Sequence, residues 1–208
     1  MVLGPETAQA DFYKLSQANY RHHAPFQRII DITKIDYPRL QAAIFHVTNS
    51  RRIKHRLRAV KFHRLLERAA RGHAKRMAAG GFYSHSDPDG TRRTPTKRAR
   101  RQGVTNPKIA ENIYQFHGLT QNGKPVYRKP GKGKYSHVPN GPDVPMHTYL
   151  SFADAIVDGW MKSPGHRKNI LNAKALELGV GAEFFWKGNW PYFMAVQNFQ
   201  FFYPARTR

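Results

Sequence analysis

A chain of 208 residues, 40% of them apolar and including Trp 3, Tyr 10 and Phe 13, has the length and the large rings for one packed domain of about 150 residues plus an extension, and too many rings for a disordered polymer. Lys and Arg total 35 against 13 Asp plus Glu, a formal net charge of +22, so the admissible partners are anionic: acidic polysaccharide, lipid surfaces or nucleic acid. With Cys 0, disulfides, thiolate nucleophiles and zinc–thiolate sites are excluded, and any metal must use nitrogen and oxygen ligands.

The opening "MVLGPETAQADFY" lacks the basic stretch and apolar run of a secretory signal, and no segment has membrane-spanning length. The chain is expected to be soluble as it stands; a signal removed from a precursor would leave the same picture. Residues 1–36 show no clear period and read as an N-terminal extension, with 37–208 as the domain. Asp36 as a cap, Pro38 in a first turn and the stripe Leu40, Ala43, Ile44, Val47 predict a helix over about 38–50. In the basic stretch 51–64, Ile53, Leu57 and Val60 are spaced as a narrow helical seam under a solvated face. A second helix follows from Leu65, Leu66, Ala69, His73 and Met77 and stops at Gly80 and Gly81; on its apolar face His73 reads as a core histidine.

"GFYSHSDPDG" (81–90) places His85 at a loop entrance, before a basic loop over 91–108 that has room for one helical turn and the short apolar "IAENIYQF". Residues 118–147, rich in Gly, Pro and Lys, predict a long insertion holding a hairpin. Phe152, Ala153, Ile156, Val157 and Trp160 mark a further helix, and Ser163 before Pro164 is placed to cap a short one. "ELGVGAEFFW", the turn "KGNW" and "YFMAVQNFQFFY" predict a terminal hairpin, so the fold class is α+β. Gly179 and Gly181 start no nucleotide-binding fingerprint and suit a strand that another backbone approaches closely.

In chain order "TNSRR", "HAKRM", "YSHSDPDG", "AENIY", "GWMKSPGHRKNIL", "ELGVG" and "AVQNF" resemble the CAP superfamily of cysteine-rich secretory, antigen 5 and pathogenesis-related 1 proteins (the SCP domain), most of all its cysteine-free bacterial branch. The resemblance spans roughly 37–202, and the 118–147 insertion departs from it. It implies an α-β-α sandwich, a secreted or cell-envelope location, and a cleft of two histidines and two glutamates able to hold a divalent metal such as zinc. Carried over by position, these are His85, Glu111 and His166; the place of the second glutamate holds Ser163. Asn49, three before Arg52, matches a structural element of the first helix.

Two imidazoles and one carboxylate make a complete protein shell for a zinc with an open water position. Each residue also has a structural reading: His85 could bond the Ser-Asp-Pro turn, Glu111 could cap backbone or pair with an arginine, and His166 could cap or solvate its short helix. Three functions follow: a binding module whose cleft takes a lipid-like, glycan or peptide ligand; a metal-dependent hydrolase, which would need Glu177 or Asp158 as its base; and a polyanion binder through 51–64 and 92–101, with Tyr127, Tyr135 and the terminal aromatics able to stack bases. Specific nucleic-acid recognition ranks below attraction to an anionic surface, because no recognised motif accompanies the charge.

Overall fold

The computed structural model describes residues 12–121, 123–131 and 133–201. The first long helix, α1 (Tyr37–Lys54), begins where the Asp36 side chain accepts from the Arg39 amide at 3.0 Å, with Pro38 in its first turn. It is buried on nearly all sides, including its polar Gln41, His46, Thr48, Asn49 and Arg52. The seam predicted through 51–64 does not form. The helix ends at Lys54, Arg56 takes a left-handed φ of 59°, and the chain runs on extended into β1 (Lys61–Phe62). Side chains of α1 enforce the break: Asn49 exchanges two hydrogen bonds with the backbone of Val60, and Arg52 donates from Nε to the Arg58 carbonyl. Arg52 also donates to the carbonyls of Ile170 and Asn172, so the "TNSRR" segment is a structural clasp.

Helix α2 (Arg64–Gly80) buries Leu66, Ala69, Ala70, His73, Ala74 and Met77 and stops at Gly81, whose φ of 64° suits glycine. A short α3 (Pro95–Arg101), capped by Thr94, precedes the strand β2 (Ile109–His117). In the insertion, β3 (Tyr127–Arg128) and β4 (Tyr135–Ser136) form the expected hairpin over a small cluster of Leu119, Tyr135 and Val144. Thr148 caps α4 (Tyr149–Lys162) in a capping box. Helix α5 (Pro164–Ile170) follows with Ser163 at its cap position, but the Ser163 side chain makes no capping bond; its carbonyl accepts from the Arg167 amide instead. The final hairpin pairs β5 (Ala175–Lys187) with β6 (Trp190–Phe201) across Gly188 and Asn189, and Gly188 has a φ of 60°.

The four-stranded sheet runs β1-β5-β6-β2, antiparallel except for β1 against β5. Alternation along the strands sends Val180, Ala182, Phe193, Ala195 and Phe199 into a core with α1 and α4, and Met194, Val196 and Ile113 toward Ala70, Ala74 and Met77 of α2. The result is the α-β-α sandwich expected. A Cβ on Gly179 would lie 2.0 Å from the Glu67 amide nitrogen, and one on Gly181 2.1 Å from that of Arg71; the glycine pair lets α2 lie directly on β5. Within 1–36, Tyr20, Phe26 and Ile30 are buried in the main core, while residues 1–11 lie outside those described.

Candidate functional site

Strand β2 carries Glu111 opposite Asn198 of β6, and its carboxylate is almost wholly buried at 1% side-chain exposure. One oxygen, Oε1, lies 3.0 Å from Nδ1 of His85, whose side chain is 53% exposed. The other, Oε2, accepts from Nη2 of Arg98 at 2.6 Å. With its amide turned to satisfy both of its contacts, Asn198 also donates to Oε2 at 3.2 Å. Glu111 therefore sits between an exposed imidazole and a buried guanidinium; of its structural readings, pairing with an arginine is the one observed.

Arg98 reaches it because Thr94 and Pro95 start α3 and turn the guanidinium inward, where it also donates to the carbonyls of His85, Arg92 and Arg93. One side chain thus pins both ends of the 85–93 loop. The loop's turn is held in parallel by Asp87, which is buried, takes two bonds from Arg76 of α2 at 2.6 and 2.7 Å, and accepts from the Asp89 amide. Those bonds hold the Asp87 carboxyl below its ordinary range although burial pushes the other way.

His166 is placed from α5 by a buried amide chain. Asn112, next to Glu111, donates to the His166 carbonyl at 3.2 Å and to Gln197 at 3.1 Å; Asn169 donates to Asn112 at 2.8 Å; Gln197 donates to Thr48 of α1 at 2.7 Å. The His166 ring is half-buried and has no hydrogen-bond partner among the described residues. Burial lowers its pKa, and the neighbouring His85 lowers it further. Ser163, also half-buried, stands three residues before it. His73 is fully buried, as a core histidine should be, yet its Nε2 bonds the Ser84 carbonyl at 2.9 Å and lies 4.0 Å from Glu111.

Glu111 Oε1 accepts one hydrogen bond and keeps a second lone pair, and among the described residues no three His, Asp or Glu side chains are placed to hold a metal as they stand. Glu111 stands behind His85 and orients its ring. The two other carboxylates considered as bases are engaged elsewhere: Asp158 takes two bonds from Arg51, and Glu177 lies in β5, two strands from Glu111 and opposite Lys61. Of the aromatics considered for stacking bases, Tyr135, Phe193 and Phe199 are core residues, while Tyr127 is exposed.

Sequence reasoning missed Arg98, Arg76 and the Asn112–Asn169–Gln197 chain. The Thr94–Pro95 cap was the available signal for α3, but nothing in a run of like cations distinguishes the one that is buried.

Residues 45–199 match the CAP family, described as the cysteine-rich secretory protein family. The chain is 26% identical over 140 residues to the "Uncharacterized membrane protein YlbC" of Bacillus subtilis (strain 168), covering 67% of this chain and 30% of YlbC. Among solved structures, an extracellular protein containing a SCP domain from Bacillus anthracis str. Ames aligns with a TM-score of 0.52 at 24% identity, over 80% of this chain and 41% of that one. The CAP domain of Enterococcal PrgA aligns with a TM-score of 0.52 at 16% identity, over 98% and 80%. This chain thus spans less than half the length of YlbC and of the Bacillus anthracis protein. No helix among the described residues is long and apolar enough to cross a membrane. The match over three quarters of the chain, on an α-β-α sandwich with the expected order of elements, makes this chain a member of the CAP, or cysteine-rich secretory protein, family.

Proposed function

We propose that this chain is a binding domain acting outside the cytoplasm, and that the face bearing His85, His166 and Ser163 takes up a small polar ligand, a glycan, a peptide or a lipid headgroup. The observation that carries this reading is the state of Glu111: both carboxylate oxygens are taken, by His85 and by the buried Arg98. A carboxylate held between these two groups serves to orient the imidazole of His85. The groups left for a ligand are two imidazoles and a hydroxyl, which recognise by hydrogen bonding. The family's secretory description supports the location. Zinc is the metal two imidazoles suit best, and with two protein ligands it binds weakly.

The alternative is a hydrolase on the same face, and one experiment separates the two. Zinc is titrated by calorimetry into the parent, His85→Ala and His166→Ala, beside a peptide-cleavage assay. The expected result is weak binding lost in either variant, with no cleavage. Tight stoichiometric zinc with turnover that both variants lose would replace the binding reading with the hydrolase.

A further inference from the structure

The two outer layers of the sandwich differ in charge. On α1 and α4 the cations Arg39 and Arg51 are paired with Asp36, Asp154 and Asp158. Residues 64–108, which hold α2 and α3, carry twelve Lys and Arg against Glu67, Asp87 and Asp89, and Glu67, the only acid on either helix, is buried. Two half-open cavities of about 310 and 430 Å³ lie on this layer. Gly72 and Arg76 line both, so the cavities join into one trough that crosses α2 from Arg101 to Pro88, and no carboxylate lines it. Arg76, Arg92 and Arg98 each answer one acid outside the lining, Asp87, Asp89 and Glu111. Exposed Arg101 in one cavity and exposed Lys75 in the other have no ion-pair partner among the described residues, so the trough keeps positive charge at both ends. Glu183 of β5, whose carboxyl feels the charges of Arg71 and Lys75, lines neither cavity.

We propose that this trough holds a stretch of a linear acidic polysaccharide, whose uronate or sulfate groups meet Arg101 and Lys75 as the chain passes over Gly72. Free cations at both ends fit a chain of repeated charges better than one small anion, and forked guanidinium groups match carboxylate and sulfate oxygens in pairs. Gly72 leaves the crossing point open, since a Cβ there would meet nothing within 4 Å. A nucleic acid would need rings on which to stack its bases, and the half-buried Phe82 at one end is the only Phe, Tyr or Trp in either lining. A membrane would need apolar side chains to insert, and the exposed large apolar residues Ile29, Ile53, Tyr83, Tyr127 and Val138 all lie off α2 and α3. The trough goes beyond the His85–His166 face and takes no side chain from it.

The test compares charge removed from the trough with the same charge removed elsewhere. Lys75→Ala with Arg101→Ala takes one cation from each end, and Lys54→Ala with Arg58→Ala takes two exposed cations from the basic 51–64 segment. Gly72→Glu puts a carboxylate at the crossing point, with Gly72→Ala as its control. A heparin decasaccharide is titrated calorimetrically into the parent and these variants at one fixed salt concentration, with thermal melts to confirm folding. Single-stranded oligothymidylate and vesicles of phosphatidylcholine with phosphatidylglycerol are run beside it. Expected are saturable decasaccharide binding in the parent and in Gly72→Ala, and binding at least about tenfold weaker in the Lys75 and Arg101 double variant and in Gly72→Glu. The Lys54 and Arg58 double variant should weaken binding less than about twofold. No saturable binding in the parent, equal weakening in the two double variants, or unchanged binding in a folded Gly72→Glu would overturn the proposal. So would oligothymidylate or vesicles that bind more tightly than the decasaccharide with the same dependence on the variants, which would assign the trough to nucleic acid or to a membrane.

Discussion

Glu67 illustrates how far a single environment can move a residue in so basic a chain. It lies in the first turn of α2, buried, and the Tyr13 hydroxyl donates to it. Burial pushes its carboxyl from 4.5 up to about 7, against the opposing pull of the Tyr13 hydroxyl and of Arg71, Arg64 and Arg68. A raised carboxyl pKa means that the folded state holds a proton the unfolded state has released, so Glu67 costs stability as pH climbs from 4.5 to about 7. The full loss is about 3 kcal/mol. Glu67→Gln keeps an acceptor for Tyr13 and has no proton to lose. Its unfolding free energy relative to the parent should therefore rise by about that amount between pH 4.5 and 7 and stay level above. Denaturant unfolding of both proteins across this range checks it, and a difference that does not vary with pH would refute the assignment.

At the scale of elements, the structure indicates where the insertion over 118–147 can be cut from the domain. Its neck is closed by antiparallel bonds, with Leu119 bridged to Met146 and the Thr120 amide donating to the Pro145 carbonyl at 3.0 Å. Above the neck, Tyr135 stacks on Trp190 of β6 at 5.0 Å and its hydroxyl donates to the Asn189 carbonyl. The insertion is thus a small unit docked on the turn of the terminal hairpin. Removing 121–144 and joining Thr120 to Pro145 through Asn-Gly should leave one cooperative melt, lowered by about 5 °C for the loss of the Tyr135–Trp190 contact. A broad or absent transition would place the insertion in the core. Gly118 belongs on the retained side of the cut, because a Cβ there would lie 2.3 Å from Met146 and 3.1 Å from Phe193.

For the whole molecule the dominant property is the net charge of +22. It favours anionic partners in general, and Tyr135, Phe193 and Phe199, being buried, cannot stack on a ligand, whereas Tyr127 is exposed. Binding to heparin, used as a polyanion probe, should weaken at least about tenfold between 0.05 and 0.2 M salt, the slope following the number of ions released. Affinity that ignores salt would point instead to a fitted site.

Local patterns determine much of this protein. Asp36–Pro38, the α2 stripe ending at Gly81, the Gly188–Asn189 turn and the glycine pair in β5 each act within a few residues of the signal that reveals them. So do the motifs that mark the family. Two matters needed the third dimension. The 51–64 seam had helical spacing, but Asn49 and Arg52 bind the backbone of residues 58–60 and pull that segment into the sheet. Likewise, His85, Glu111 and His166 were nameable as candidates while the partner that governs Glu111 was not. Arg98 is one of several cations in "RTPTKRARR", and only the packing of α3 against β2 decides which of them is buried and which face water. Charge sequence is blind to that choice because desolvation, the largest electrostatic cost, depends on what the fold places around a group.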